Sequence, residues 1–352
     1  MKKTSLAFLT ALFLFIAGCT KNPTAPGPTT GDLESEVLTD FANVVVNPNY
    51  EDLQTKATIL SQSILTLDSN TTDANLVSAQ TSWRATRVAW ETAEGYLFGP
   101  VEDFNYDPSI DTWPLNKTEL DSLLASNNPL SVSDIDALPY SLKGFHAIEY
   151  ILFGIGSASQ IAPREKQYLA SLSQSLYNTT SALRNSWDPA SGDFTDQLIS
   201  AGNGSRRFAT RKDAFLAIVA AMSDICNEVA DEKMQDPLIA RDSTLDESAF
   251  SHNSTADFKC NITGVADAYF GKYTSDGHGL NEIVASSDIS LDNKIQSELN
   301  AAIQSFANIN SSYEQAIYTQ RVQINNTQNA INDLKNTLDD DLTNFIQANI
   351  KD

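Results

Sequence analysis

The 352-residue chain has three histidines, three cysteines and three methionines. It contains no Cys-x-x-Cys, no Gly-x-Ser-x-Gly and no Gly-rich phosphate loop. His-Glu-x-x-His is absent as well. The inverted His-x-x-Glu-His pattern fails because Tyr150 holds its last place. Thioredoxin-type redox chemistry, nucleophile-elbow hydrolysis, nucleotide cleavage and standard zinc-peptidase chemistry therefore have no marker here, and the catalytic residues, if any exist, are unknown. Positive charge is scarce too. Lys and Arg number 23 against 45 Asp and Glu, a net charge of −22. Such a surface repels nucleic acid and anionic headgroups and attracts cations, although solubility alone is its commonest reason.

Long apolar runs are missing except at the start. Lys2-Lys3 is a positive n-region, Leu6 to Ile16 an apolar h-region too short to span a bilayer, and Ile16-Ala17-Gly18-Cys19 resembles a bacterial lipobox. The reading is a lipoprotein signal peptide over 1–18 with lipidation at Cys19. The membrane is then a partner through the lipid anchor only. Residues 19–32 (CTKNPTAPGPTTGD) read as a flexible linker. Thr20, where Asp would signal inner-membrane retention, directs the expectation to the outer membrane of the cell envelope, on its periplasmic side or at the cell surface. Without the leader's two lysines the charge becomes 21 − 45 = −24. An exported compartment permits a bond between Cys226 and Cys260; a disulfide and two buried thiols both remain open.

What the chain does have is helical periodicity. Strand-like alternation is rare. Helices are expected at Leu33–Val46 (closed by Asn47-Pro48), Tyr50–Leu67, Asp73–Phe98 and Lys117–Ala125, and from Pro139 through His146. Gly99–Asn116 reads as an ordered loop. Pro163 fits a helix start, and Tyr168, Leu169, Leu172, Leu176, Leu183 and Trp187 form one apolar stripe. Trp187-Asp-Pro-Ala-Ser-Gly192 breaks the pattern, which sets a boundary between an N-terminal helical bundle (33–190) and a C-terminal one (191–352). In the second part, Arg206–Met234, Phe250–Phe270, Leu291–Ile309 and Ser312–Ile350 read as helical. The fold class is all-α, two bundle-like halves packed together. Glu94-Gly-Tyr-Leu-Phe-Gly99 and Glu149-Tyr-Ile-Leu-Phe-Gly154 share Glu-x-x-Leu-Phe-Gly, which leaves a duplication open.

Candidate chemistry gathers on two of these helices. His146 and Glu149 are three residues apart on one helical face, inside an apolar run. Imidazole plus carboxylate suits iron or zinc. Trp83, Arg87, Trp90 and Glu94 follow one stripe, since eleven steps of about 100° return Glu94 to within about 20° of Trp83. That stripe should face the interior, where a carboxylate needs a partner. Arg87 is the ordinary partner, and a site shared with His146 and Glu149 is the sharper alternative. His252 reads as part of an N-cap segment, His278 as an exposed loop residue.

These residues resemble a known family. Gly144-Phe-His146-Ala-Ile-Glu149 matches the Gly-x-His-x-x-Glu motif of imelysin-like proteins, which are classed as M75-type peptidases and include iron-regulated envelope lipoproteins. Trp83 to Pro100, Ile110-Asp-Thr-Trp-Pro114, Asp236-Pro237 and Phe250 to Phe258 resemble further family signatures in the same order. The resemblance implies a two-domain helical fold, a site near the domain junction and a role in iron uptake. It points to His146 and Glu149 first, then to Glu94, Trp90, Asp111 and Trp113, then to Ser251 and Asn253. The expected metal ligands are thus His146, Glu149 and Glu94, with Trp90, Arg87, Asp111, Trp113, Ser251 and Asn253 lining the site. The expected function is an envelope lipoprotein that binds metal, iron before zinc, or an iron-bearing ligand, alongside envelope transport partners. The alternative is an M75-type metallopeptidase with Glu149 or Glu94 as base. A surface module binding a glycan or protein through Trp113 is the third reading.

Overall fold

The computed structural model describes residues 30–350. The expected signal peptide, Cys19 and the linker up to residue 29 lie outside the described residues. Within them the fold is all-helical, and the sole extended pairing is an isolated bridge between Lys272 and Asp276.

The chain opens with α1 (Thr30–Asp40), a π-helical segment Phe41–Val46, and α2 (Asn47–Ser69). The expected stop at Asn47-Pro48 is not there. Pro48 lies in the first turn of α2, where its missing N–H is harmless, and the π segment carries the helix into it. Next come α3 (Asp73–Glu94), capped by the Thr72 side chain, then α4 (Pro100–Asp103) and α5 (Tyr106–Asp111) inside the expected loop. Helices α6 (Lys117–Ala125), α7 (Val132–Asp136), α8 (Gly144–Phe153) and α9 (Pro163–Trp187) follow. The α9 stripe from Tyr168 to Trp187 is buried as its spacing requires. Helices α2, α3, α8 and α9 pack on one another as a bundle.

Past α10 (Phe194–Ile199) comes α11 (Arg211–Asn227), which runs into a second π segment, Glu228–Lys233, and then α12 (Gln235–Ala240). Helices α13 (Ser254–Phe270), α14 (Leu280–Ser287), α15 (Ile289–Ser305), α16 (Tyr313–Thr319), α17 (Arg321–Asn336) and α18 (Thr343–Asn349) complete the fold. A third π segment, Thr337–Leu342, joins the last two. Helices α11, α13, α15 and α17 form the second bundle. Buried apolar residues of both bundles belong to one continuous cluster.

The bundles meet where α3 crosses α13. The crossing is made by glycines: a Cβ on Gly264 would stand 1.9 Å from the Thr92 carbonyl oxygen, and one on Gly95 would stand 2.3 Å from the Gly264 carbonyl carbon. Only bare backbones fit this closely. The approach brings Asn261 of α13 onto α3, where its amide donates to the Glu91 carbonyl at 3.0 Å and to Glu94 Oε2 at 2.7 Å.

The shared Glu-x-x-Leu-Phe-Gly string does not give matching helix ends. Gly154 follows α8 directly with φ −73°. In the first copy α3 already stops at Glu94, and Gly99 takes φ +71° ahead of α4. Cys226 and Cys260 are free thiols.

Candidate functional site

At the α3–α13 crossing a buried guanidinium sits among carboxylates. Arg87 is fully buried. Its Nη1 pairs with Asp111, and its Nη2 pairs with Glu91 and lies 3.2 Å from Glu247 and 3.4 Å from Asp257. The guanidinium also lies over the Phe145 ring, 5.1 Å from its centroid. Glu91 follows Arg87 by one helical turn, so the first pair is local. The others come from α5, from α13 and from the segment between α12 and α13.

A second buried cation lies beside it. Lys233 Nζ contacts Glu94 at 2.8 Å, Glu247 at 3.1 Å, Glu228 at 3.4 Å and Glu91 at 3.8 Å, and lies over the Trp113 ring at 5.2 Å. The π segment explains its aim. An i→i+5 hydrogen-bond pattern aligns residues five apart, which places Lys233 on the face of Glu228; in an α-helix the two would diverge by about 140°.

Asp111 links this cluster to α8. Its Oδ2 accepts from the Trp90 indole N–H at 2.6 Å, and its Oδ1 lies 2.9 Å from His146 Nε2, out of line for a hydrogen bond. Gly144, with φ +76°, makes the approach: a Cβ there would meet the Ile110 carbonyl oxygen at 2.3 Å. His146 Nδ1 meets Glu149 Oε2 at 2.9 Å, and Glu149 Oε1 accepts the Ser251 backbone N–H at 2.8 Å. Asn253 donates to Asp257 at 2.6 Å and accepts from Arg84 at 2.5 Å.

The charge is unbalanced. Six carboxyl groups (Glu91, Glu94, Asp111, Glu228, Glu247, Asp257) contact two permanent cations, Arg87 and Lys233, and 6 − 2 leaves four acids unmatched, while Glu149 pairs with His146. The site answers with protons. Burial raises the Glu94 carboxyl to about 8 against the pull of Lys233, and raises Asp107, nearby, to about 7. Burial also lifts Glu91 well above the usual carboxylate range, Arg87 opposing it. Burial disfavours ionised Asp111, yet Arg87 and His146 outweigh it and hold that carboxyl well below its ordinary value. Burial likewise disfavours charged His146, but Asp111 and Glu149 bring its pKa up to about 10.

Two overlapping sets of metal-capable donors result. Asp111, His146 and Glu247 offer ligand atoms within 4.8 Å of one another, and so do Glu91, Glu94, Asp111 and Glu247. The donor chemistry fits a cation. Both Glu247 oxygens and His146 Nε2 are buried without a hydrogen-bond donor or acceptor in line, and carboxylate plus imidazole is the ligand set of iron and zinc. A cleft of about 170 Å³ reaches Glu94 and is lined also by Glu102, Asp107, Asp224 and Glu228.

The sequence profile of the Peptidase M75, imelysin, family matches residues 46–340. The chain belongs to the imelysin family. The iron-regulated protein A of Synechococcus elongatus is 32% identical over 270 residues, spanning 76% of this chain and 73% of its own length. The crystal structure of an iron-regulated protein A precursor from Parabacteroides distasonis superposes with a TM-score of 0.83 at 25% identity, covering 93% of this chain and 97% of the other. An imelysin-like protein from Psychrobacter arcticum shares the fold, with a TM-score of 0.73 at 14% identity over 91% of this chain and 97% of its own.

Within this imelysin fold, the residues expected from the sequence as metal ligands or site lining lie in or against the cluster, but not in the expected arrangement. Glu94 pairs with Lys233, and Arg87 instead holds Glu91 and Asp111. His146 groups with Asp111 and Glu247, while Glu149 stands behind His146, fixed by Ser251. Trp113 covers Lys233. His252 and His278 are elsewhere, His252 beside the largely buried Glu314 and His278 beside the exposed Glu282. Glu91, Lys233, Glu247 and Asp257 were missed. Glu91 had a signal, one turn after Arg87. Lys233 sits among Glu228, Asp231 and Glu232 and reads as a solvated face, and Glu247 falls in a polar break without periodicity.

Proposed function

We propose that this imelysin-family chain is a cell-envelope lipoprotein that binds iron, or an iron-bearing ligand, at the Arg87-centred cluster and takes part in iron uptake. One observation carries the reading: the Glu247 side chain is fully buried, its Oε1 meets Arg87 and Lys233 only as ion pairs out of hydrogen-bond line, its Oε2 has no hydrogen-bond partner, and it lies within ligand distance of Asp111 and His146 where acids outnumber cations. A buried carboxylate oxygen without a hydrogen-bond partner is costly, and a further cation or a proton relieves that cost. Asp111, His146 and Glu247 would hold the metal, which would take the place of the proton that Asp111 and Glu149 hold on His146; Glu149 would orient His146 as an outer-shell carboxylate, and Glu94 would face the acidic cleft through which cations approach. The name of the Synechococcus relative, iron-regulated protein A, supports iron over zinc. The motif around Cys19 supports the anchor, and the acidic composition supports a cation as ligand.

Peptide hydrolysis fits less well. A scissile bond would have to reach groups that are all nearly inaccessible: His146 is 1% exposed and Glu149 0%. The test is the metal retained by the purified protein, wild type against His146→Ala and Glu247→Gln. Iron in the wild type and its loss in both variants is the expected result. Equal, negligible iron and zinc in all three would sink the reading.

A further inference from the structure

The Lys233 side chain is fully buried, and Glu94, Glu247, Glu228 and Glu91 stand around its ammonium group. Burying an ammonium is costly, and an ion pair alone is a weak reason to keep one, because apolar replacement of buried ion pairs is often neutral or stabilising. What distinguishes Lys233 is the place of its Nζ. Three of those acids, Glu91, Glu94 and Glu247, form with Asp111 the four-carboxylate set whose ligand atoms lie within 4.8 Å of one another. Oxygens bound to one Ca²⁺ at about 2.3–2.6 Å stand at most about 5 Å apart, so the set has the span of an oxygen-only cation site. Lys233 already serves it. Its Nζ is 2.8 Å from Glu94 Oε2, 3.1 Å from Glu247 Oε1 and 3.8 Å from Glu91 Oε2. A positive charge so close opposes any ion drawing on the same oxygens. The set still has unused acceptor capacity, since Glu247 is 3% exposed and its Oε2 has no hydrogen-bond partner. The backbone holds the lysine in this place. The Met234 N–H closes the π register on the Val229 carbonyl at 3.0 Å, and the Gln328 amide donates to the Ala230 carbonyl at 2.7 Å. Glu94 and Glu228 also line the acidic cleft of about 170 Å³, which gives ions a way to the set.

We propose that Lys233 sets the ion selectivity of the cluster: its ammonium takes the place of a divalent ion in the set Glu91, Glu94, Asp111 and Glu247, and leaves the set containing His146 as the one open to metal. Oxygen-only ligands suit Mg²⁺, Ca²⁺ and Mn²⁺, whereas imidazole suits iron and zinc. With Lys233 in place the hard ions lose their set. Selectivity for a metal at His146 rests on the function proposed above; occupancy of the four-carboxylate set by Lys233 does not, because that set contains no histidine.

The experiment counts bound Mn²⁺ by electron paramagnetic resonance, in which the sharp signal reports the free ion, using chelator-stripped protein that carries His146→Ala and so lacks the imidazole-containing set. Adding Lys233→Met is expected to tighten Mn²⁺ binding at least about tenfold over the His146→Ala parent, since an ammonium about 4 Å from a dication repels it by more than that factor even at the dielectric constant of water. Adding Glu94→Gln as well should remove the gain, and Lys233→Arg, which keeps the charge, should show none. Where Lys233→Met does not fold alone, Mn²⁺ is expected to restore its helical circular dichroism, because binding then contributes to folding. A gain of Mn²⁺ binding alongside a wild type that retains no iron sustains Lys233 as the resident cation while the iron reading fails. A Lys233→Met protein that binds Mn²⁺ no better than its parent and whose fold Mn²⁺ does not restore, or an equal gain in Lys233→Arg, overturns the proposal; Lys233 is then an ion-pair partner alone.

Discussion

Glu247 and Arg87 show how single residues set the properties of the cluster. Glu247 brings a buried carboxylate whose Oε1 meets Arg87 and Lys233 out of hydrogen-bond line and whose Oε2 has no hydrogen-bond partner. Glu247→Gln should therefore lower metal affinity at least about tenfold while leaving the helical circular dichroism unchanged. Arg87 is the opposite case, a buried cation touching four carboxylates. Arg87→Met strands those charges, and chemical denaturation should show a loss of about 3–5 kcal/mol or no folded protein. Asp267, on the far end of α13, gives a pH signature apart from the cluster. Burial raises its carboxyl to about 7, with Lys272 opposing. A folded pKa above the unfolded one means the ionised form destabilises the fold. That cost is absent below the unfolded pKa near 4, grows as pH rises towards 7 and is constant above. Asp267→Asn should accordingly match wild type in Tm at pH 4 and melt a few degrees higher at pH 8. An equal difference at both pH values would contradict the assignment.

Element geometry decides which of these residues can meet. The helices themselves were readable, because apolar spacing in α9 and α15 and the start signal at Pro163 are local. The π segments were not. Inserting one residue into a helix leaves no compositional trace, so Pro48 looked like a stop and Lys233 looked solvated. The crossing of α3 on α13 was equally hidden, since Gly95 and Gly264 acquire meaning only when both backbones are placed. Gly264→Ala forces a Cβ into the Thr92 carbonyl oxygen. Overpacking of this kind costs about 1–3 kcal/mol, occasionally more. A fall in Tm of several degrees is expected, together with weaker metal binding, because Asn261 and Glu94 shift with the helix. An unchanged Tm would mean that the crossing is slack.

At the scale of the whole molecule, the all-helical class and the imelysin membership were legible from periodicity and from Gly-x-His-x-x-Glu. His146, Glu149, Glu94, Asp111 and the tryptophans were legible as candidates because their motifs are contiguous, and they gather at the Arg87 cluster. Glu247 and Asp257 belong to the site through tertiary packing of chain segments more than a hundred residues from His146, which no local pattern records. The two cysteines among the described residues are free, so thiol titration of the unfolded chain should find Cys226 and Cys260 reactive, and reducing agent should leave Tm unchanged. Binding to the native state alone adds stability as RT ln(1 + [L]/Kd), about 2.7 kcal/mol at a hundredfold excess over Kd. Fe²⁺ or Zn²⁺ should therefore raise the Tm of the wild type and raise that of His146→Ala less.

The central claim, that Asp111, His146 and Glu247 hold a metal, is tested most directly by anomalous scattering at the iron edge from crystals grown with ferrous iron. The account predicts a peak about 2.0–2.2 Å from His146 Nε2 and from oxygens of Asp111 and Glu247. Iron-loaded crystals with no anomalous density inside the Arg87 cluster would contradict it.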